Sequence, residues 1–242
     1  MNLIIDIGNS FVKLAVFEQN ELKHKEVVKL NLIIEHVKLI KEKYNEINQA
    51  IVSSVGRLEQ KDLDVLSKSF NLFILDSKIK QPFNNLYKTP KTLGVDRIAL
   101  VSASVDQFPD NNVLIIDAGT CITYDFINKD NAYLGGAISP GIKTRYKALN
   151  NLTANLPLLE TKQPEHVIGN STESSIHSGV VYGVLKEIDG IIMEYNDIYP
   201  DLTVILTGGD ANFLSKQLKS SIFANSNFLL EGLNYILQYN SN

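Results

Sequence analysis

Two aspartates close two nearly identical stretches of the chain. Leu3, Ile4, Ile5 and Asp6 recur as Leu114, Ile115, Ile116 and Asp117, and a glycine follows each aspartate at the same distance, Gly8 and Gly119. Glycine lets the backbone come close to an anion, and the N–H groups around it can donate to anionic oxygens. Asn9 and Ser10 after the first copy, and Thr120 after the second, add side-chain donors. A carboxylate beside such a turn can hold the cation that offsets the anion's charge. One Asp-x-Gly at a strand end is only a turn. A duplicated pair, each with donors behind it, predicts the binding of a phosphate chain with its counter-cation, as in a nucleoside triphosphate. Lys13 is a further phosphate candidate, or else the solvent-facing residue of an alternating strand.

A different chemistry is offered by Gly94, Val95, Asp96 and Arg97. A carboxylate can orient a hydroxyl and take its proton, and a guanidinium presents a rigid fork of donors to a carboxylate. Asp96 also reads as a helix N-cap, because the apolar stretch after it is helix-compatible, and Arg97 reads as a surface ion-pair partner. Residue types alone leave these alternatives open.

The elements that must position these residues follow from periodicity. Each LIID run is β-branched and apolar enough for a buried strand, and a second strand-like run follows each, at 11–17 and 121–127. A third strand is predicted from "HKEVVKL" and from "AYLGGAIS", the latter closed by the turn at Pro140 and Gly141. Ile33, Val37, Ile40 and Tyr44 then fall on one helical face. Further strands are predicted at "QAIVSSV", "LFIL" and "LTVILTGGD", and helices near 59–69, from 142, over 172–198 and at "FLLEGLNYILQ". Ser171 or Thr172 starts the long helix. The pattern is α/β: two hairpin-led lobes, 1–110 and 111–242, each contributing one turn to a cleft between them, with the last helix placed to pack back on the first lobe.

Composition removes other classes. A chain of 242 residues, 44% hydrophobic, with net charge −4, has no basic face for nucleic acid. Its one cysteine, Cys121, excludes an internal disulfide or a four-cysteine metal site and reads as a small core residue. The four histidines lack metal-ligand spacing. No apolar run is long enough to span a membrane and no signal sequence is evident, which predicts a cytoplasmic protein.

"DIGNS", "DAGTCIT" and "LTGGDA" resemble the two phosphate motifs and the adenosine motif of the acetate kinase, sugar kinase, Hsp70 and actin superfamily. "NLYKTPKTLGVDR", "YLGGAISPGI", "LTANLP" and "IGNSTESSIHSG" are closer still to one branch of it, the type III pantothenate kinases. That resemblance implies two ribonuclease H-like lobes with mixed sheets and an interlobe nucleotide cleft. It also implies ATP-dependent phosphorylation of pantothenate to 4′-phosphopantothenate, the opening step of coenzyme A synthesis. On this pattern Asp96 is the base, and Tyr87, Gly94, Val95, Asp96 and Arg97 meet pantothenate. Asp6, Gly8, Asn9, Ser10, Lys13, Gly119, Thr120, Gly208 and Gly209 meet the nucleotide. The same resemblance implies that Asp6 is a Mg²⁺ carboxylate, acting directly or through a bound water, and that Asp117 belongs with a monovalent cation, K⁺ or NH4⁺. Thr172 reaches pantothenate from the neighbouring subunit of a homodimer. The competing readings are a kinase for another small hydroxyl substrate and a nucleotide-binding accessory or scaffold protein without catalysis.

Overall fold

A computed structural model of the chain describes residues 1–8, 11–53, 58–76 and 78–241. It divides into two units, Met1–Gln107 with Asn227–Asn242, and Phe108–Ser226.

In the first unit, β1 (Asn2–Ile7), β2 (Val12–Glu18) and β3 (Glu21–Val28) form an antiparallel meander. The helix α1 (Ile33–Lys43) leads to β4 (Gln49–Ser53), and α2 (Gln60–Ser69) leads to β5 (Asn71–Ile74). The sheet order is β3-β2-β1-β4-β5, with β4 and β5 parallel to β1. Both faces of β1 are buried, which is why it reads as an unbroken apolar run rather than an alternating one. Leu3, Ile5, Ile7, Leu14 and Val16 pack with Ile33, Val37, Ile40 and Leu66 from the two helices. The third strand begins three residues before the "HKEVVKL" expectation. A turn through Gln19, whose φ of 53° is left-handed, returns the chain early, and the alternating exposure of β3 marks it as an edge.

After a two-residue strand β6 (Asn84–Asn85), α3 (Val95–Gln107) completes this part of the chain. Every residue of α3 from Arg97 to Ser104 is buried. A helix apolar all round belongs in an interior, and its two buried hydroxyls are satisfied within it: Ser102 and Ser104 donate to the carbonyls of Ile98 and Leu100.

The second unit repeats the plan with β7 (Asn112–Ala118), β8 (Cys121–Ile127) and β9 (Ala132–Pro140) antiparallel in sequence. There follow α4 (Ile142–Leu152), α5 (Thr172–Ile198), β10 (Leu202–Thr207), α6 (Ala211–Ser215) and the short β11 (Phe223–Ala224). β10 lies parallel to β7, so the strands run β11-β10-β7-β8-β9. Ile176, Val180, Val184, Ile188 and Ile192 form the buried stripe of α5 against Leu114, Ile116 and Tyr124. Of the two candidates for its start, Ser171 is the cap: its hydroxyl accepts the Ser174 N–H, and the Ser171 N–H donates back to the Ser174 hydroxyl. Cys121 is exposed, contrary to its reading as a core residue, because it opens β8 on the side opposite buried Ile122. Among the described residues, no helix is long and apolar enough to cross a membrane.

The last helix, α7 (Phe228–Ser241), belongs to the first unit. It packs on α3, β1 and β4, and buried Asn234 accepts a hydrogen bond from Asn2 while donating to the Gln19 carbonyl. Contact with α3 is close enough that a Cβ on Gly232 would sit 1.9 Å from the Ala99 carbonyl oxygen. Gly232→Ala would gain about 1 kcal/mol of helix propensity and lose about 1–3 kcal/mol to overpacking. The obstacle is backbone, which yields least, so the loss wins: a lower urea midpoint, by up to about 2 kcal/mol in unfolding free energy, is the expected result.

Candidate active site

Asp6 lies one residue before the end of buried β1, and strand register decides its neighbours. Directly opposite on β2 stands Lys13, and on β4 stands Ser53. The Ser53 hydroxyl donates to Asp6 Oδ1 at 2.8 Å and accepts the Ile7 N–H at 3.2 Å. Lys13 Nζ lies 3.7 Å from Asp6 Oδ2. Lys13 is therefore no mere solvent-facing strand residue. Asp6 itself is only 9% exposed. Burial raises its carboxyl above the ordinary range; Lys13 and Ser53 pull it back, and the nearby negative charge of Asp96 raises it further. Gly8 follows, its N–H donating to the Phe11 carbonyl at 3.0 Å. Asn9 and Ser10 lie outside the described residues.

Asp96 is not the N-cap of α3 but its second residue, after Val95. It is exposed, and its Oδ1 accepts the Arg97 N–H at 2.9 Å. The space beside Gly94 is filled by that same carboxylate, since a Cβ there would lie 2.3 Å from Asp96 Oδ1. Any side chain at 94 would displace Asp96. Arg97 is buried, not a surface residue, and its guanidinium lies 5.4 Å from the ring centroid of half-buried Tyr87. Asn85 holds the Tyr87 backbone by accepting its N–H. The first unit thus brings Asp6, Lys13 and Asp96 into one electrostatic neighbourhood, with Tyr87, Gly94, Val95 and Arg97 around the start of α3.

In the second unit, Asp117 occupies the place of Asp6. Its register partners are Thr123 on β8 and Thr207 on β10, a hydroxyl on each side where the first unit has Lys13 and Ser53. Thr123 Oγ1 is buried with no hydrogen-bond partner among the described residues. Gly208 has φ of 95°, a left-handed conformation that favours glycine. On its open side a Cβ would lie 2.4 Å from both Asp117 Oδ1 and the Ala118 carbonyl oxygen. Two oxygens therefore converge on a space that only glycine leaves vacant. Gly209 is exposed with nothing near its missing side chain, and the next residue, Asp210, donates its N–H to Ala118. Burial raises the Asp210 carboxyl, with Lys143 acting against it.

The turn of Gly119 and Thr120 is braced from α4. Gly141 N–H and the Thr144 hydroxyl both donate to the Thr120 carbonyl, at 3.0 and 2.6 Å. Thr172 stands apart from this turn in sequence, exposed at the first position of α5. It lines a groove of about 1060 Å³ between α4 and α5, together with Leu149, Leu152, Leu156 and Ile176. Ser53, Thr123 and Lys143 were not picked out by motif. Each lies on a different element from the group it serves, and only register or helix placement brings it there.

The type III pantothenate kinase family matches residues 2–194. The chain belongs to this family. A type III pantothenate kinase of Christiangramia forsetii is 52% identical over 240 residues, covering 99% of both chains. Among solved structures, a Campylobacter jejuni protein assigned to the Baf family of transcriptional activators covers 99% of each chain with a TM-score of 0.62 and 22% identity. A glucokinase from an Antarctic psychrotroph covers 98% of each with a TM-score of 0.52 and 11% identity. These two likenesses show the fold, the two-lobed ribonuclease H-like arrangement shared with sugar kinases.

A type III pantothenate kinase that keeps a charge buried at Asp6 carries a stability cost for it. The native carboxyl binds its proton more tightly than the unfolded chain does, so stability falls as pH rises from the ordinary value of 3.8 through the raised native value. Asp6→Asn removes the charge and keeps the acceptor for Ser53. In metal-free protein the variant is expected to melt higher than the parent at neutral pH, with the gap closing as the pH falls through the raised native value toward 3.8. A lower melting temperature at pH 7 would contradict this account of the site.

Proposed function

We infer that this chain transfers the γ-phosphoryl group of ATP to the primary hydroxyl of pantothenate, giving 4′-phosphopantothenate and ADP. The observation that carries the reading is the meeting of Asp6, Lys13 and Asp96 within the first unit, on a chain whose family is the type III pantothenate kinases. Phosphoryl transfer asks a protein for positioning and charge neutralisation more than for covalent help. Lys13 and the backbone after Gly8 serve the phosphates, as do Thr120 and Gly119 in the second unit, with Gly208 and Gly209 beside the adenosine.

Asp96 orients the pantothenate hydroxyl toward the γ-phosphorus. The hydroxyl oxygen forms the new P–O bond, the bond to the β-phosphate oxygen breaks, and the proton passes to the Asp96 carboxylate and then to solvent. Its exposed position at the start of a helix gives it an open approach to a substrate. Arg97 and Tyr87 serve the other end of pantothenate, the guanidinium pairing with its carboxylate.

Asp6 fits a divalent cation, since a buried carboxylate with a raised proton affinity and a lysine as its only close ion pair among the described residues gains from a second positive charge. Mg²⁺ bound there would neutralise phosphate oxygens, taking one protein carboxylate and completing its shell with phosphate and water. Asp117 Oδ1 and the Ala118 carbonyl converge beside Gly208, with the orphaned Thr123 hydroxyl on the strand opposite Asp117, and these oxygens suit a monovalent cation such as K⁺ or NH4⁺. The groove beside Thr172 supports a homodimer: Leu152, which lines it, is 84% exposed, and a second copy would cover such a surface.

Mass detection of 4′-phosphopantothenate tests the reaction. Product should form with ATP, Mg²⁺ and pantothenate, more slowly when sodium replaces potassium, and Asp96→Asn should lower turnover about 10²- to 10⁴-fold while ATP still binds. Formation of no product by protein that binds ATP would leave the two competing readings, a kinase for another small hydroxyl substrate and a non-catalytic accessory protein. Light scattering should give a particle of twice 27.0 kDa, and Leu152→Asp should halve it.

A further inference from the structure

Two residues outside the motifs, Arg145 and Glu187, centre a polar cluster next to the Thr120 turn. Arg145, on the first turns of α4, donates from Nε to the Pro140 carbonyl at 2.8 Å and from Nη2 to the Ser139 hydroxyl at 2.9 Å. The same Nη2 pairs with Glu187 on α5. Glu187 is held from a third direction, accepting the Tyr124 hydroxyl of β8 at 2.9 Å. Burial would raise the Glu187 carboxyl, but the hydrogen bonds from Arg145, Ser139 and Tyr124 prevail and keep it below the usual range. It stays ionised at neutral pH. Burial and the neighbouring Glu187 push the Tyr124 phenol up, so that its hydroxyl remains a donor.

What Arg145 grips is adjacent to the proposed phosphate turn. In the sheet register, Pro140 lies opposite Cys121 and Ser139 opposite Ile122, the two residues that follow Thr120. One residue further, Gly141 donates its N–H to the Thr120 carbonyl, and Thr144 does so with its hydroxyl. The guanidinium fork thus ties the end of β9 to the start of α4, and both ends of that junction hold Thr120. Glu187 aims the fork from a third element. A lysine would supply the charge without the planar set of donors that reaches Pro140, Ser139 and Glu187 together.

We propose that Arg145, oriented by Glu187, is a positioning residue that holds the Gly119–Thr120 turn in the conformation that receives the nucleotide phosphates. This rests on the reading of that turn as an ATP contact. Its consequence is selective: loss of the clasp loosens the nucleotide site and leaves the residues at the start of α3, which serve pantothenate, untouched.

The test uses Glu187→Gln, Arg145→Met, Arg145→Lys and the double variant Arg145→Met/Glu187→Gln in the full chain. ATP affinity is measured by calorimetry without pantothenate, and KM for each substrate, melting temperature and particle mass are measured alongside. Glu187→Gln is the primary variant because Glu187 does not line the groove that would dock a second copy. Each single variant should weaken ATP binding about tenfold, the double variant no more than that, since the two residues act as one unit. Arg145→Lys should stay as weak as Arg145→Met, and KM for pantothenate should hold within about twofold. Unchanged ATP affinity, equal losses for both substrates, recovery with lysine, or a change in particle mass with Glu187→Gln would each overturn the proposal. Weaker ATP binding in these variants of a chain that does not phosphorylate pantothenate would sustain the clasp and refute the kinase assignment, so the two failures are distinguishable.

Discussion

A negative charge at the end of a strand buried on both faces is the constraint around which the first unit is organised. Removing a carboxylate from water is expensive unless donors meet it, and Asp6 is met by Ser53 and Lys13. Neither is near it in sequence by accident of loop placement. Both are register partners, so the pairings of β1 with β2 and with β4 must be correct to the residue. A slip of one position would turn Lys13 to the opposite face and bring an apolar neighbour to the carboxylate. The apolar packing on the other face of the same strand enforces that register, because the same slip would break the fit of Leu3, Ile5 and Ile7 to Ile33, Val37 and Ile40. Core and site are therefore specified by one alignment of strands.

The second unit keeps this plan and changes the chemistry. Thr123 replaces Lys13 and Thr207 replaces Ser53 in register. Hydroxyls flank Asp117 in register where a lysine and a serine flank Asp6, which is the basis of its proposed role with a monovalent cation. Duplicated strand architecture thus provides two carboxylates with different partners. The difference rests on two side chains per copy, while the backbone arrangement around each is the same.

Positioning in both units is done by helix residues that lie outside the motifs. In the first, α3 is buried nearly along its length and lies against α7 at backbone contact, which leaves Asp96 little freedom except at its own side chain. In the second, the Thr120 turn is held by α4, and α4 in turn by α5 through Arg145 and Glu187. Rigid helices behind short turns are what a phosphoryl-transfer site needs, because small displacements of the reacting groups are costly in rate.

Local chemistry made much of this legible in the amino-acid order. The two LIID runs are recognisable as strands because both faces are buried and every residue must be apolar. The long helix of 27 residues was equally visible, its apolar positions recurring on one face until Pro200 stops it. Asp6, Asp117 and Asp96 stand out as candidate site residues because their neighbours in the chain are glycines and donors. Tertiary structure alone decided the rest. Ser53, Thr123, Lys143 and Glu187 lie on separate elements from the groups they meet, and no local pattern encodes strand register or helix approach. The exposure of Cys121, the burial of Arg97 under Tyr87 and the place of Asp96 inside its helix rather than at the cap depend on which face each element turns inward. The contact that seats α7 on α3, Gly232 against Ala99, is likewise a long-range packing choice.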